Sequence, residues 1–317
     1  MKEVYKLLLG GGYQYIKDCD LSKVTWIHRG GIVDLFVEPL STDALVAICR
    51  VCYANHLNFM VVGHTSNLYF LKEQCPNIIV STRKLTSWII KEDGIHCQAG
   101  VMMKKLASHC ISEGISGFEG FIDLPGTVAG AAVNNSSCFG SAISSLLQSC
   151  IVLKEDGEIV ELSNQDLLYS KRNSIIKNKQ LKAVVIEVVL TITYGLADEL
   201  IAKAKANHQK RIDTQEGPVQ NLGSTFAETT FSINAGFIIR RIDQVAKLFN
   251  VSQLFRFRKR WLLALYGYLD LDRYISDKNL NCFIWKDENA DKKFRRYLRF
   301  INRITSLRRL EIEIIGQ

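Results

Sequence analysis

The spacing of apolar residues near the start of the chain predicts two strands joined by a helix. Residues 32–39 (IVDLFVEP) alternate between apolar and polar side chains, and the pattern stops at Pro39. The following segment, STDALVAICRVCYANH, has a Ser-Thr-Asp start that suits a helix N-cap and apolar residues at helical spacing. LNFMVVGHTSN then predicts an apolar strand that runs into a turn of small residues.

The next hundred residues predict mainly strands. NIIVST, SWIIKE and HCQAGV predict short strands within residues 77–101, and MKKLASHCISEG predicts a helix that Gly114 closes. CIVLKEDGEIVELS predicts a hairpin with its turn at Asp156-Gly157. Residues 181–194 (LKAVVIEVVLTITY) carry the strongest strand pattern in the chain.

The pattern changes at Gly195, after which it becomes mostly helical and basic. A chain of 317 residues with 47% hydrophobic content can bury more than one core. We therefore predict an α+β domain over residues 1–195 and a second, smaller α+β domain over residues 196–317.

No segment predicts export or membrane insertion. The opening MKEVYKLLLGGGYQY has too short an apolar core for a secretory signal. The longest apolar run near the C-terminus, WLLALYGYLDL, is about half as long as a bilayer span requires. We therefore expect a cytoplasmic protein; as a separate expectation, we take it to be a monomer.

The nine cysteines are scattered and predict neither a disulfide framework nor a metal site. The close pair in CRVC, Cys49 and Cys52, lies in a helix-like run without a second pair or nearby histidines. Unpaired thiols in apolar surroundings are ordinary in a reducing compartment.

Positive charge is concentrated towards the C-terminus. Residues 201–317 carry 22 Lys and Arg against 12 Asp and Glu, a net charge of +10, whereas residues 1–200 carry −2. This excess suits an anionic partner such as a phosphate-bearing substrate, although basic helices with a solvated face would also produce it. The aromatics in LFRFRKRWLL and KKFRRYLRF have amphipathic helical spacing, which favours packing over base stacking, so we expect no nucleic acid.

Two glycine-bearing segments are candidates for ligand binding. In VVGHTSNLYF, a strand feeds a small-residue turn that can point backbone N–H groups and a hydroxyl at one anion. In GFEGFIDLPGTVAGAAVNNSSCFG, small residues let the backbone approach a large flat ligand. Neither segment contains G-x-G-x-x-G or a Walker motif, and each alone is typical of an ordinary tight turn.

Together and in this order, the segments resemble the UDP-N-acetylenolpyruvoylglucosamine reductase family, with its G-x-G-S-N-L, A-G and G-I-P-G-T-V-G-G-A motifs. The matching stretches are Gly63–Leu68, Ala99-Gly100, Gly117–Glu119, Pro125–Gly130, Asn135 and Gly140. The family's Y-R-x-S, G-S-x-F, A-N-F-I and P-E-V-R-x-I-G are similar to Lys171–Ser174, Gly223–Phe226, Asn281–Ile284 and Leu310–Gly316. The resemblance covers nearly the whole chain.

The resemblance implies an α+β fold in which a PCMH-type (VAO-like) FAD-binding module of two subdomains precedes a smaller substrate-binding domain. It implies FAD and NADPH as cofactors, a nucleotide-sugar substrate in peptidoglycan biosynthesis, and no metal. The implied FAD contacts are Gly63, Thr65, Ser66, Asn67, Leu68, Gly100, Pro125, Gly126, Thr127, Gly130 and Asn135.

Three further residues carry the chemistry that the resemblance implies, which is hydride delivery to an enolpyruvyl ether. Arg172 would hold the substrate carboxylate, and Ser224 would protonate the carbon beside it. Glu311, when protonated, would donate a hydrogen bond to the same group, with Glu313 as the alternative if the register shifts by two. Without the resemblance, these residues are typical of a surface cation, a turn and a solvated strand face.

The chain departs from the family on the substrate side in particular. Thr65 replaces a glycine of the first turn, and a β-branched residue resists positive φ. Lys171 replaces tyrosine, and Glu228 stands where the family has an asparagine that helps to hold the nucleotide. Two alternatives therefore stay open: a related oxidoreductase for a different nucleotide sugar, and a binding protein that has lost catalysis.

Overall fold

The computed structural model describes residues 13–217, 220–248 and 254–316. The strands are β1 (Gln14–Asp20), β2 (Ile32–Glu38), β3 (Phe59–Val62), β4 (Leu68–Phe70), β5 (Ile78–Ser81), β6 (Trp88–Lys91), β7 (Gly94–Gln98), β8 (Ser137–Cys138), β9 (Ser141–Ala142), β10 (Leu147–Lys154), β11 (Ile159–Ser163), β12 (Ala183–Leu190), β13 (Phe226–Phe231), β14 (Thr305–Leu310) and β15 (Glu313–Ile315). The helices are α1 (Thr42–Ala54), α2 (Met103–Ser112), α3 (Val128–Asn134), α4 (Ile143–Leu146), α5 (Ala197–Thr214), α6 (Ile233–Leu248), α7 (Leu254–Tyr266) and α8 (Ala290–Ile304).

The first layer is a four-stranded sheet in the order β1-β2-β5-β3. β2 and β3 both pair in parallel with β5, while β1 is antiparallel to β2. Helix α1 connects β2 to β3, and it begins where the hydroxyl of Ser41 accepts a hydrogen bond from the amide of Ala44. The predicted strand, helix and strand at the start of the chain are thus confirmed.

The second layer is an antiparallel five-stranded sheet in the order β11-β10-β12-β7-β6. Its central strand β12 is Val- and Ile-rich and buried on both faces, which explains its continuous apolar pattern. One face packs against α2 and α3, and the other contacts α1 through Leu153, Val184 and Ile186. The predicted hairpin is β10–β11, with Gly157 at φ 86° in its turn.

A third core forms mainly from residues beyond 220. In α8, Phe294, Tyr297 and Ile301 are buried at helical spacing and pack with Trp285. Tyr69 also belongs to this core, because β4 pairs in parallel with β15 and so brings residues 68–70 beside residues 313–315. Leu200 and Ala204 of α5 pack instead on the core of the second sheet, and the domain boundary near residue 195 stays a prediction.

The structure differs from the sequence prediction at two places. The segment Asn281–Ile284 is not a strand, although Phe283 and Ile284 each form an isolated β-bridge. Glu311 lies between β14 and β15 rather than within one strand. The strand is interrupted there because β14 pairs with β13, whereas β15 pairs with β4.

The prediction that there is no secretory signal rests on the first fifteen residues, and residues 1–12 lie outside the part of the chain that the structure describes. Among the helices described, none has the length and apolarity to cross a membrane.

Candidate functional site

The two glycine-bearing turns meet in the folded chain. A side chain added at Gly63 would place its Cβ 2.5 Å from Oγ1 of Thr127, and one at Gly126 would lie 2.9 Å from Oγ of Ser66. Gly126 has φ 105°, a region that side chains rarely adopt. Thr127 caps α3 by accepting a hydrogen bond from the amide of Gly130. The two turns therefore pack so closely that neither Gly63 nor Gly126 leaves room for a side chain.

Backbone donors at this junction are available to a ligand. Within the described parts of the chain, the amides of residues 64–67 donate to no acceptor. Oδ1 of Asn135 is likewise buried without a partner there, while its Nδ2 donates to the carbonyl of Ser170. A turn with free amides suits a diphosphate, and a buried orphan acceptor suits a ligand hydroxyl or N–H.

A cavity of about 420 Å³ adjoins the first turn at His64. Lys23 and Arg83 line it together with Trp26. Burial lowers the pKa of His64 to about 4, and Arg83 contributes to the same shift, so the imidazole is neutral near pH 7. We call the junction of the two turns at Gly63 and Gly126 the cofactor cradle. This cradle, the free amides and these two cations fit FAD, which has a diphosphate and a large flat ring system.

The remaining predicted FAD contacts differ in what they do. Leu68 begins β4 and pairs with Glu313 of β15. Gly100 lies against the backbone of Thr82, where a Cβ would come within 1.8 Å of the carbonyl oxygen. This glycine is therefore required by backbone packing, whatever the ligand. Pro125 leads into the Gly126 turn and is half-buried.

Asn67 joins the first turn to the C-terminal strand. Its Nδ2 donates to the carbonyl of Glu311 at 3.1 Å, and its own carbonyl accepts from the amide of Glu313 at 2.9 Å. We call this first turn, residues 63–68, the cofactor turn. One of its residues, Asn67, thus fixes the backbone of both candidate carboxylates, Glu311 and Glu313.

Arg172 lies on a tight turn at φ 56°. Asn135, at the end of α3, binds the carbonyl of Ser170, and the hydroxyl of Ser174 donates to the carbonyl of Val133 at 2.6 Å. These bonds fasten the Arg172 turn to the end of α3. The guanidinium Nε then lies 3.0 Å from Oε1 of Glu311.

Ser224 directly precedes Thr225, the residue whose backbone binds Glu311. The carbonyl of Thr225 accepts from the amide of Glu311 at 2.9 Å, and the amide of Thr225 donates to Asn281. The structure therefore brings Arg172, Ser224 and Glu311 to one region, next to Asn67 of the cofactor turn. Ser224 is half-buried, so its hydroxyl can be reached from outside.

The sequence prediction missed two cations at this site. Nζ of Lys177 lies 3.9 Å from Oε1 of Glu313 and donates a hydrogen bond to Oδ1 of Asn134 at 2.6 Å. Burial lowers the pKa of the Lys177 ammonium group. Arg309 donates to the carbonyl of Lys171. Lys177 has a faint signal in the sequence, since it follows Ser174 at helical-turn spacing, whereas the position of Arg309 depends on the pairing of β13 with β14.

Two departures from the family motifs form a pair. Nζ of Lys171 lies 2.9 Å from Oε1 of Glu228, and this hydrogen bond lowers the pKa of the Glu228 carboxyl group. Glu228 therefore stays anionic at neutral pH and neutralises the extra lysine. The two substitutions compensate each other in charge.

The carboxyl groups of Glu311 and Glu313 have raised pKa values. Burial is the main cause in both; Arg172 opposes the rise at Glu311, and Lys177 opposes it at Glu313. A proton can thus persist on Glu311 above the usual carboxyl range. This property suits a group that must donate a hydrogen bond to a carboxylate.

The raised pKa of Glu311 makes stability depend on pH. A carboxyl group that binds its proton more tightly when folded contributes stability below its ordinary pKa of 4.5 and loses it as pH rises towards the folded value. We expect the free energy of unfolding to fall less steeply above pH 4.5 in Glu311→Gln than in the parent. Urea unfolding across pH checks this, with the exposed Glu73→Gln as control. Equal slopes in parent and Glu311→Gln would contradict it.

The two cysteines that are close in sequence are buried in the fold. Cys49 and Cys52 lie on the buried face of α1, and burial raises the pKa of the Cys52 thiol to about 12. No group of histidine, cysteine and carboxylate side chains among the described residues is arranged to hold a metal ion.

Comparisons with known proteins show which proteins the chain is similar to. The model of the FAD binding domain family matches residues 33–163. The UDP-N-acetylenolpyruvoylglucosamine reductase of Bacillus licheniformis is 31% identical over 209 residues, which are 65% of this chain and 68% of that protein. The reductase of the same name from Caldicellulosiruptor bescii is 28% identical over 221 residues, 69% of this chain and 70% of its own.

A solved structure extends the similarity to the C-terminal part. The UDP-N-acetylenolpyruvylglucosamine reductase (MurB) from Thermus caldophilus has a TM-score of 0.67 and 18% identity, covering 95% of this chain and 98% of its own. At this identity the similarity concerns the fold. The predicted α+β fold with a PCMH-type FAD-binding module is confirmed.

Proposed function

Because this chain belongs to the UDP-N-acetylenolpyruvoylglucosamine reductase family and is an FAD-dependent oxidoreductase, we propose that it reduces the enolpyruvyl ether of a UDP-linked N-acetylglucosamine with NADPH. The substrate is a cytoplasmic precursor of peptidoglycan, and the enzyme acts as a monomer. The observation that carries the proposal is the ion pair of Arg172 and Glu311 beside Ser224, held by Asn67 of the cofactor turn.

FAD, when bound, would supply the redox chemistry, which is the transfer of hydride from NADPH to the outer carbon of the enolpyruvyl group. Gly63, Gly126 and Asn135, together with the free amides of residues 64–67, would hold it. The protein supplies alignment, desolvation and the proton.

Arg172 binds the substrate carboxylate. Its guanidinium is permanently cationic and presents paired donors that match a carboxylate, so it stabilises the negative charge that develops there when hydride arrives. Its present partner, Glu311, has a raised pKa and can take up a proton when an anionic substrate enters. Protonated Glu311 then donates a hydrogen bond to the substrate instead of repelling it.

Ser224 delivers a proton to the carbon beside the carboxylate. Hydride addition to the outer carbon leaves an electron pair on this inner carbon. Transfer of the hydroxyl proton to that carbon completes the reduction, and the serine alkoxide then regains a proton from solvent. A free serine is a weak acid, so the transfer depends on position: the loop is fixed through Thr225, which bonds both Glu311 and Asn281.

Lys171 and Glu228 bear on the choice of nucleotide sugar. Their ion pair is exposed to solvent, with side-chain exposures of 61% and 38%, so an incoming phosphate can replace Glu228 as the partner of Lys171. The pair also favours a second candidate, an oxidoreductase of this family that acts on a different nucleotide sugar. A panel of UDP-sugars with and without the enolpyruvyl group distinguishes the two.

Glu228→Gln is expected to lower KM for the UDP-sugar by roughly fivefold at low salt and leave kcat unchanged, because it removes a charge that repels the diphosphate. Steady-state kinetics at two ionic strengths measure this. Glu158→Gln is the matched control, since Glu158 pairs with Lys154 on the distant β10–β11 hairpin. A KM that rises or stays constant would exclude this role for Glu228.

The proposed function is tested by NADPH oxidation. Flavin-loaded protein should consume NADPH with UDP-N-acetylglucosamine enolpyruvate and not with UDP-N-acetylglucosamine, which lacks the double bond. The absence of consumption with the enolpyruvyl compound, from protein that carries flavin, would refute the proposal.

A further inference from the structure

We propose that Thr65 is a positioning residue that sets the Ser224 loop from the cofactor turn. The inference rests on the proposed function for its kinetic consequence and on hydrogen bonds for its physical basis. It concerns the position at which this chain replaces a glycine of the family motif.

The backbone of Thr65 is in an unfavourable conformation. It has φ 55°, and its side chain is β-branched and only 6% exposed. Glycine adopts this conformation without steric cost, whereas a β-branched residue does not. A strained residue persists where its surroundings fix it, so the contacts of Thr65 indicate what the strain maintains.

The hydroxyl of Thr65 makes a contact that glycine cannot make. Its Oγ1 accepts a hydrogen bond from the backbone amide of Trp26 at 2.9 Å, across 39 residues of chain. The carbonyl of Thr65 accepts from the amide of Leu68 at 3.1 Å, which closes the turn. Thr65 therefore holds Trp26 against the cofactor turn.

Trp26 extends the connection to the other part of the site. Its indole Nε1 donates to the carbonyl of Asn221 at 2.8 Å. Oδ1 of Asn221 accepts from the amide of Gly223 at 2.9 Å, and Gly223, at φ 74°, directly precedes Ser224. Three hydrogen bonds, linked through the residues Trp26 and Asn221, thus connect the Thr65 hydroxyl to the residue before the proposed proton donor.

The same turn also holds a second residue of the proposed reaction centre. Asn67, two residues after Thr65, binds the carbonyl of Glu311. The cofactor turn therefore positions the proton donor through Thr65 and Trp26, and the carboxyl group through Asn67. Loss of the Thr65 hydroxyl removes the first connection and leaves the second.

The kinetic test separates the two halves of the reaction in the flavin-loaded enzyme. In Thr65→Val, reoxidation by UDP-N-acetylglucosamine enolpyruvate is expected to slow about tenfold relative to flavin reduction by NADPH, with both rates measured on the same flavin-loaded protein. Thr65→Ser retains the hydroxyl and should restore most of the reoxidation rate. Thr86→Val, at an exposed threonine outside the network, is the matched control.

The second readout does not depend on turnover. In the ¹⁵N-labelled holoenzyme, the indole N–H of Trp26, identified by its loss in Trp26→Phe, should exchange with solvent about tenfold faster in Thr65→Val. It should exchange at the parent rate in Thr65→Ser. If the parent itself fails to reoxidise with the enolpyruvyl substrate, the proposed function fails, while the exchange rates still decide the hydrogen-bond series.

Two results would overturn the inference. One is a Thr65→Val enzyme with the parent's reoxidation and indole exchange rates, because the hydroxyl would then position nothing. The other is equal slowing in Thr65→Ser and Thr65→Val, because the effect would then come from side-chain shape. If Thr65→Val does not fold, Trp26→Phe, which removes the indole donor, must slow reoxidation without slowing flavin reduction.

Discussion

Replacing Ser224 by alanine is expected to lower kcat for the enolpyruvyl substrate by about a thousandfold, the usual contribution of a positioned proton donor. The hydroxyl is the proposed source of the proton for the carbon beside the substrate carboxylate. Without it, hydride transfer leaves a charge that only slow protonation from water can remove. KM should change little, because Arg172 still binds the carboxylate.

Flavin binding distinguishes this effect from misfolding. Ser224 lies outside the two turns that form the cofactor cradle, so Ser224→Ala should keep its flavin and its rate of reduction by NADPH. Ser306→Ala, on the exposed face of β14, is the matched control. Parent-like kcat in Ser224→Ala would exclude Ser224 as the proton donor.

Replacing Gly63 by alanine is expected to abolish flavin binding. The new Cβ would lie 2.5 Å from Oγ1 and 2.9 Å from Cγ2 of Thr127, well inside contact distance. Thr127 caps α3 and is itself 3% exposed, so it has little room to move. The two turns must separate, and the cradle between them is lost.

The flavin content of purified Gly63→Ala, read from its visible spectrum, measures this effect. Gly236→Ala is the matched control, because Gly236 lies in α6 with its nearest atom, Cβ of Phe231, at 3.9 Å from the added Cβ. Alanine also favours a helix over glycine, so this control should remain folded and yellow. A yellow Gly63→Ala protein with parent flavin content would contradict the claim that these two turns together hold the flavin.

Local pattern predicted the elements of the first two layers. Strands β2, β3 and β12 and helix α1 follow from apolar periodicity and a capping serine, which act over a few residues. The parallel pairing of β15 with β4 had no such signal, since it joins Glu313 to Leu68 across most of the chain. That pairing is nevertheless what brings Glu311 to the cofactor turn.

The ion pair and the strained backbone at the site also could not be predicted from individual residues of the sequence. In the sequence, Glu228 is a charge that would repel a diphosphate and Lys171 is an extra cation, whereas in the fold they lie 2.9 Å apart. Thr65 was expected to resist positive φ, and it adopts φ 55° with its hydroxyl bound to Trp26. Both outcomes depend on partners that are distant in sequence.

The most direct test follows the bound flavin through both halves of the reaction. The purified protein is reduced with NADPH in the absence of oxygen, so that the yellow absorbance disappears, and UDP-N-acetylglucosamine enolpyruvate is then added. The proposed function predicts that the yellow absorbance returns in a single turnover, with one saturated UDP-sugar formed for each flavin. Flavin that stays reduced after this addition would contradict it.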